Sequence, residues 1–206
     1  MSDLAGAILC GGRSTRMGQP KALLPFGPKT LLEHIVDRIA EAADPLIVVA
    51  APDQPLPHLP NIQILRDPVE GRGPLQGIAV ALAALPECNF VFISSTDAPF
   101  IHAQYIRRLR ALCEDHDIAI VRDEGHHHPL GAIYKPWLAR EAQALLAENR
   151  ARPFFLLERA KTRIVTRYDL LADPALRRAD PDLWCLRNLN TPEDYEAALR
   201  DLALAE

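Results

Sequence analysis

The sequence has no Cys-x-x-C pair: Cys10, Cys88, Cys113 and Cys185 lie far apart. That excludes the spacing of a zinc site or a redox couple, and it reads as reduced, mostly buried thiols of a cytoplasmic protein. No segment approaches the roughly 20 apolar residues that a bilayer span requires. The opening MSDLAGAILC has no basic stretch ahead of its short apolar run, which predicts a first strand rather than a secretion signal. There is no excess of positive charge either. A formal net charge of -4 argues against a broad nucleic-acid-binding or membrane-binding face. Internal repeats, low-complexity tracts and linkers are also missing, so a single domain over residues 1–206 is expected.

What is there is apolar and regularly punctuated. Hydrophobic residues make up 49% of the chain, enough to set disorder aside. AGAILC ends at Gly11 and Gly12 and reads as a buried strand entering a loop. In KTLLEHIVDRIAEAAD, Leu31, Leu32, Ile35 and Ile39 recur at helical spacing, and Thr30 with Glu33 forms a capping box. PLIVVAA (45–51) and IQIL (62–65) are further strands, joined by a surface connection holding four prolines. PLQGIAVALAALP is a helix opened by proline, and NFVFISSTDAPF is a strand that ends in a polar cluster. HAQYIRRLRALCEDH reads as a helix and DIAIV as a strand. HHHPLGAIYK suggests another strand; PWLAREAQALLAEN, RPFFLLERAK and TPEDYEAALRDLALA suggest helices. Strands alternating with helices predict an α/β, three-layer Rossmann-like fold with a mostly parallel central sheet. Such sheets bind ligands outside the carboxyl ends of their strands.

The loop LCGGRSTRMGQPKALL (9–24) matches neither of two well-known glycine-rich patterns. No Ser or Thr follows Lys21 as in an ATPase P-loop, and the G-x-G-x-x-G spacing of a dinucleotide site is missing. Gly11, Gly12 and Gly18 still permit backbone N–H groups to surround phosphate oxygens, and Arg13, Arg16 and Lys21 offset their charge. A flexible turn with solvated arginines is the plain alternative. Asp97, after the apolar strand NFVFI, is placed at the same sheet end, as a hard oxygen ligand suited to Mg²⁺. Asp67 holds the matching place after IQIL, where an Asx turn is the competing reading. Glycine loop, cations and carboxylate describe a nucleotide–Mg²⁺ site without a covalent nucleophile. That suits nucleotidyl transfer, in which an ionised phosphate attacks phosphorus and needs no general base.

The loop resembles the signature of nucleotidyltransferases with a Rossmann-like fold. With GRGPLQGI (71–78), HHPLGAIYK (127–135), STDAPF (95–100) and RNLNTPEDY (187–195), the sequence is similar to the molybdenum cofactor guanylyltransferases, the MobA family. That resemblance implies transfer of GMP from GTP to molybdopterin carrying molybdenum, giving the guanine dinucleotide cofactor and pyrophosphate. It implies that Leu9, Cys10, Gly11 and Gly12 contact the nucleotide and that Lys21 and Arg16 bind and neutralise the triphosphate. Asp67 would lie on the nucleotide side, Asp97 would hold Mg²⁺, and Asn188 and Asn190 would face the molybdopterin. The implied partners are GTP, molybdopterin, and recipient molybdoenzymes with their chaperones, with no nucleic acid and no membrane.

Cys10 stands where the family usually has alanine, Pro20 where it often has aspartate, and AAPDQ (50–54) lacks its nucleotide-side asparagine. A cytidylyltransferase of the same pathway therefore stays open, although Gly11–Gly12 and Gly73–Pro74–Leu75 favour GTP. A sugar-phosphate nucleotidyltransferase is disfavoured, because its opening usually carries a longer stretch before the lysine. A non-catalytic carrier of nucleotide or cofactor is the rival from another class. Three adjacent histidines, His126–His128, cannot all face one ion from an extended strand. Trp137 and Trp184 read as packing residues, and Cys10 as a buried, inert strand-end thiol.

Overall fold

The computed structural model describes residues 2–11, 20–69 and 71–205. In chain order the strands and helices begin with β1 (Leu4–Leu9), β2 (Pro25–Phe26), β3 (Lys29–Thr30), α1 (Leu31–Ala40), β4 (Leu46–Ala50) and β5 (Gln63–Arg66). Then come α2 (Pro74–Ala84), β6 (Phe90–Ser95), α3 (Ala103–Leu112), β7 (Ile118–Asp123), β8 (His126–His127), β9 (Ala132–Tyr134) and α4 (Leu138–Ala147). The last third holds α5 (Phe154–Leu157), β10 (Thr162–Val165), α6 (Arg167–Leu171), α7 (Pro174–Ala179) and α8 (Pro192–Ala205).

The main sheet runs β10-β7-β9-β6-β1-β4-β5, with β8 added against β7. β1 pairs in parallel with β4 and β6, β4 with β5, and β7 with β10. In this sheet only β9, between β6 and β7, and the short β8 run antiparallel among the described residues, and β2 and β3 form a separate antiparallel pair. The α/β fold with a mostly parallel core is the one expected.

Each central strand is buried on both faces, which is why it reads as a continuous apolar run. In β1, Leu4 and Ile8 point into the layer of α1, α3, α6, α7 and α8, while Ala5, Ala7 and Leu9 point into the layer of α2, α4 and α5. α1 begins where the sequence predicts it. Thr30 Oγ1 accepts from Glu33 N–H, Glu33 returns a bond to Thr30 N–H, and Leu31, Leu32, Ile35, Val36 and Ile39 form the buried face. α2 opens with Pro74 in its first turn, again as expected. Among the described residues, no helix is long and apolar enough to cross a membrane.

The last third departs from expectation. The helix expected over 152–161 is confined to Phe154–Leu157, and β10 follows as the sheet's edge strand, paired with Ile118–Val121 of β7. Four residues with one buried member, Val165, are too short and too polar to show a period of two. HHHPLGAIYK divides at Gly131 into β8 and β9 rather than forming one strand; Gly131 N–H donates to Ile93 O at 2.7 Å.

Candidate active site

The carboxyl ends of the central strands are laced together by their own backbone. Cys10 N–H donates to Val49 O at 2.7 Å, Asp67 N–H to Ala50 O at 2.8 Å, and Thr96 N–H to Leu9 O at 3.3 Å. The expected nucleotide-side groups Leu9–Gly11, Asp67 and Asp97 therefore share one edge of the sheet. Leu9 turns its side chain inward, against α2. A Cβ on Gly77 would meet Leu9 Cδ1 at 2.9 Å, so the glycine lets helix and strand approach. Gly11 is exposed, and among the described residues nothing lies within 4 Å of the place its Cβ would take. Gly12 and Arg16, expected to complete the loop and neutralise phosphate, lie outside the described residues, as do Arg13 and Gly18.

Three distant pieces of chain converge on Leu189. Its N–H donates to Asp97 O at 2.7 Å, and its carbonyl accepts from Lys21 Nζ. One buried residue thus brackets the loop lysine and the strand-end aspartate, and exposed Asn188 and Asn190 flank it. Asp194 fixes the following turn: its Oδ2 accepts from the N–H groups of Asn190 and Thr191, both at 2.9 Å. Those two bonds hold its carboxyl below the usual range. The Asp97 carboxylate accepts from Ser95 Oγ through Oδ1. A half-buried carboxylate with a second oxygen to offer is a fit ligand for Mg²⁺, which keeps most of its water and takes one or two protein groups.

Asp67 lies at the same edge with its side chain occupied. Oδ1 accepts from Val69 N–H at 3.0 Å, the Asx turn that its place before proline had suggested. Its neighbour Arg66 has a role that the residue pattern does not announce. Arg66 Nη1 donates to the carbonyls of Ala51 and Gln54, each at 2.9 Å, and ties down the start of the proline-rich connection. A charged residue at a strand end carries no signal for a bond to carbonyls. Cys10 is buried, and burial drives its thiol pKa far up while the nearby Arg66 pulls weakly the other way. It is an inert thiol, as expected.

Gly73 caps α2 at φ 80°, ψ 179°, backbone territory that is essentially glycine's own. Gly73→Ala should lower stability by about 1–3 kcal/mol, read by denaturant unfolding. An unchanged midpoint would show that the turn relaxes freely.

Beneath the edge is a polar cluster the sequence did not reveal. Asp180 accepts from Trp184 N–H at 2.8 Å through Oδ1 and from Cys185 N–H at 2.9 Å through Oδ2, which also faces His102 Nε2 at 3.4 Å. Burial alone would raise the Asp180 carboxyl. The bonds from His102, Cys185 and Trp184 outweigh it and bring the pKa to about 2. Because the folded value lies below the usual 3.8, this carboxylate stabilises the fold fully above about pH 4. That contribution, about 2 kcal/mol, is lost as pH falls toward 2. Asp180→Asn should flatten this limb of the stability–pH curve, as followed by circular dichroism. An unaltered acid limb would assign it to other carboxylates.

His126–His128 form no ligand cluster among the described residues; His127 leans on Phe154 with ring centroids 5.9 Å apart. Trp137 and Trp184 are less buried than packing residues, at 40% and 39% exposure. Trp184 is nonetheless held edge-on to Phe100, and Arg187 lies 5.0 Å from both rings. All four cysteines are free.

A mostly parallel α/β sheet with Gly11, Lys21 and Asp97 near its carboxyl edge is the arrangement expected of the nucleotidyltransferase class. The MobA-like NTP transferase domain matches residues 6–163, and the chain belongs to that family. A probable molybdenum cofactor guanylyltransferase of Carboxydothermus hydrogenoformans is 35% identical over 208 residues, covering 100% of both chains. The crystal structure of molybdopterin-guanine dinucleotide biosynthesis protein A from Archaeoglobus fulgidus superposes with a TM-score of 0.78. It is 20% identical and covers 97% of this chain and 99% of that one. The Rv0371C structure from Mycobacterium tuberculosis, described as a complex with manganese, gives a TM-score of 0.65 at 19% identity, with 97% and 99% covered.

Proposed function

We infer that the protein transfers GMP from GTP to the terminal phosphate of molybdopterin carrying molybdenum, releasing pyrophosphate. The observation that carries this reading is the convergence of Lys21 and Asp97 on Leu189, at the sheet edge where Leu9–Gly11 end. A phosphate oxygen of the acceptor bonds to the α-phosphorus of GTP, and the bond from that phosphorus to the bridging oxygen of pyrophosphate breaks. The attacking oxygen is already ionised, so the chain need only position the reactants and offset charge. Leu9, Cys10 and Gly11 offer backbone to the nucleotide, and Gly12, outside the described residues, is assigned to the same contact. Lys21 has three donors, so it can serve the triphosphate while keeping Leu189 O. Arg16 adds a second cation, and Asp67 lies on the nucleotide side. Mg²⁺ on Asp97 would neutralise triphosphate oxygens. Asn188 and Asn190, exposed beside the bracket, meet the molybdopterin. The four free thiols suit work in the reducing cytoplasm, with delivery of product to molybdoenzymes and their chaperones.

The test is a transfer assay with molybdopterin and GTP, CTP or ATP, following pyrophosphate and the dinucleotide product. GTP should be preferred and EDTA should stop the reaction. CTP winning would keep the chemistry and move the base preference to the cytidylyl relatives; binding without turnover would point to a carrier.

A further inference from the structure

The bracket at Leu189 must itself be held, because exposed Asn188 and Asn190 flank it on both sides. The hold lies in two buried side chains from distant parts of the chain. His102 is 8% exposed and stands at the N-cap of α3, at the end of the loop that begins with Asp97. Asp180 is 7% exposed and follows α7, at the start of the segment that leads to Leu189. The two are 78 positions apart in sequence, yet His102 Nε2 faces Asp180 Oδ2 at 3.4 Å. His102 Nδ1 is fixed in turn by Gln104 Oε1 at 3.2 Å. From the other side, the Asp180 carboxylate takes the N–H groups of Trp184 and Cys185. One carboxylate therefore ties the Asp97 loop to the chain that runs into Leu189.

The turn it closes is under constraint. Leu183 has φ 56°, in the left-handed region that a leucine rarely adopts, and it is buried. Such a conformation persists where its surroundings over-determine it. Asp180 supplies that constraint by gripping the two residues that follow.

We propose that the His102–Asp180 pair is a positioning latch, fixing residues 184–190 against the Asp97 loop and so setting the acceptor side of the nucleotidyl-transfer site. The latch rests on the proposed function only for what it positions. Both residues are buried and bonded to each other, and Asp180 also to backbone, so their role is to position rather than to react. Cys185 adds a third group, and ligand atoms of all three lie within 4.8 Å of one another, the donor types a transition metal accepts. Both carboxylate oxygens already accept backbone N–H bonds, so the cluster is closed without an ion.

The experiment compares His102→Leu with His102→Gln in the full chain, because only the glutamine amide can donate where Nε2 lay. Three readouts are taken: steady-state kinetics with acceptor varied, calorimetric GTP binding without acceptor, and hydrogen exchange of residues 184–190. His102→Leu should reduce kcat/KM for the acceptor by about 10-fold or more, a misplacement effect. GTP affinity should fall by clearly less than the acceptor kcat/KM. Leu9 ends β1 and Cys10 and Gly11 follow it, outside the latch, and Lys21 can keep the triphosphate when Leu189 shifts. Exchange in 184–190 should quicken, and His102→Gln should recover most of both losses.

A folded His102→Leu with unchanged acceptor kinetics and exchange overturns the latch. So does an equal loss for acceptor and GTP, or a glutamine variant no better than leucine. Stoichiometric zinc in the purified protein would also overturn it, by making the cluster a metal centre. If His102→Leu does not fold, His102→Gln against His102→Asn gives the same comparison. Should the wild-type chain transfer no GMP, the functional reading fails, and the exchange data alone decide the latch.

Discussion

Asp97→Ala is expected to lower kcat/KM for GMP transfer by about 10³-fold while leaving the fold intact. The carboxylate lies two residues past β6 and, in the proposed reaction, would hold Mg²⁺, so the charge that builds on the triphosphate would lose its counter-ion. What the side chain does for stability is small. It accepts from Ser95 Oγ, and removing that bond costs about 1 kcal/mol. The Asp97 carbonyl still accepts from Leu189 N–H, so the bracket survives the substitution. A melting temperature near that of the wild type, together with a collapse of single-turnover rate, is the expected pair of results. Turnover within a few-fold of the wild type would remove Asp97 from the chemistry. Asp67→Ala makes a useful contrast, because that carboxylate is engaged by Val69 N–H. Its loss should alter nucleotide affinity more than the rate.

Lys21→Met should reduce the transfer rate by about 10²-fold and weaken GTP binding as well. Methionine keeps an aliphatic stem of similar shape and deletes the charge, which separates electrostatics from packing. The loss has two origins. The triphosphate loses a cation, and the Leu189 carbonyl loses its donor. Lys21→Arg should recover little, since a planar guanidinium does not replace a compact ammonium bound to one carbonyl. Measuring GTP affinity beside single-turnover rate divides the two origins. If affinity alone falls, Lys21 acts before the chemical step and its place in the mechanism must be revised.

Much of the fold is written locally. β1, β4 and β6 are buried on both faces and announce themselves as apolar runs, and Thr30 with Glu33 marks the start of α1 by side-chain chemistry alone. Asp97 is legible for a related reason: a carboxylate directly after a buried strand has to emerge at the sheet edge. The rest depends on contacts that side-chain type does not encode. Leu189 joins Lys21 to Asp97 through its backbone N–H and C=O, groups that every non-proline residue carries, so no reading of residue types would single it out. Asp180 lies in RADPDL, where an aspartate before proline looks like an ordinary turn residue. Its partner is 78 positions away. β10 is invisible for a third reason: a four-residue edge strand gains its stability from pairing with β7, not from its own periodicity.

The bracket at Leu189 also sets an order of events during synthesis. The ribosome makes Lys21 first, Asp97 much later, and Leu189 only near the C-terminal end, past the span matched by the family at 6–163. A nascent chain that has just emerged through β9 already holds every strand of the main sheet but the edge strand β10, while Leu189, which links its lysine to its aspartate, has yet to be made. The contact between Lys21 and Asp97 through Leu189 is therefore among the last of the described tertiary contacts that the growing chain can make.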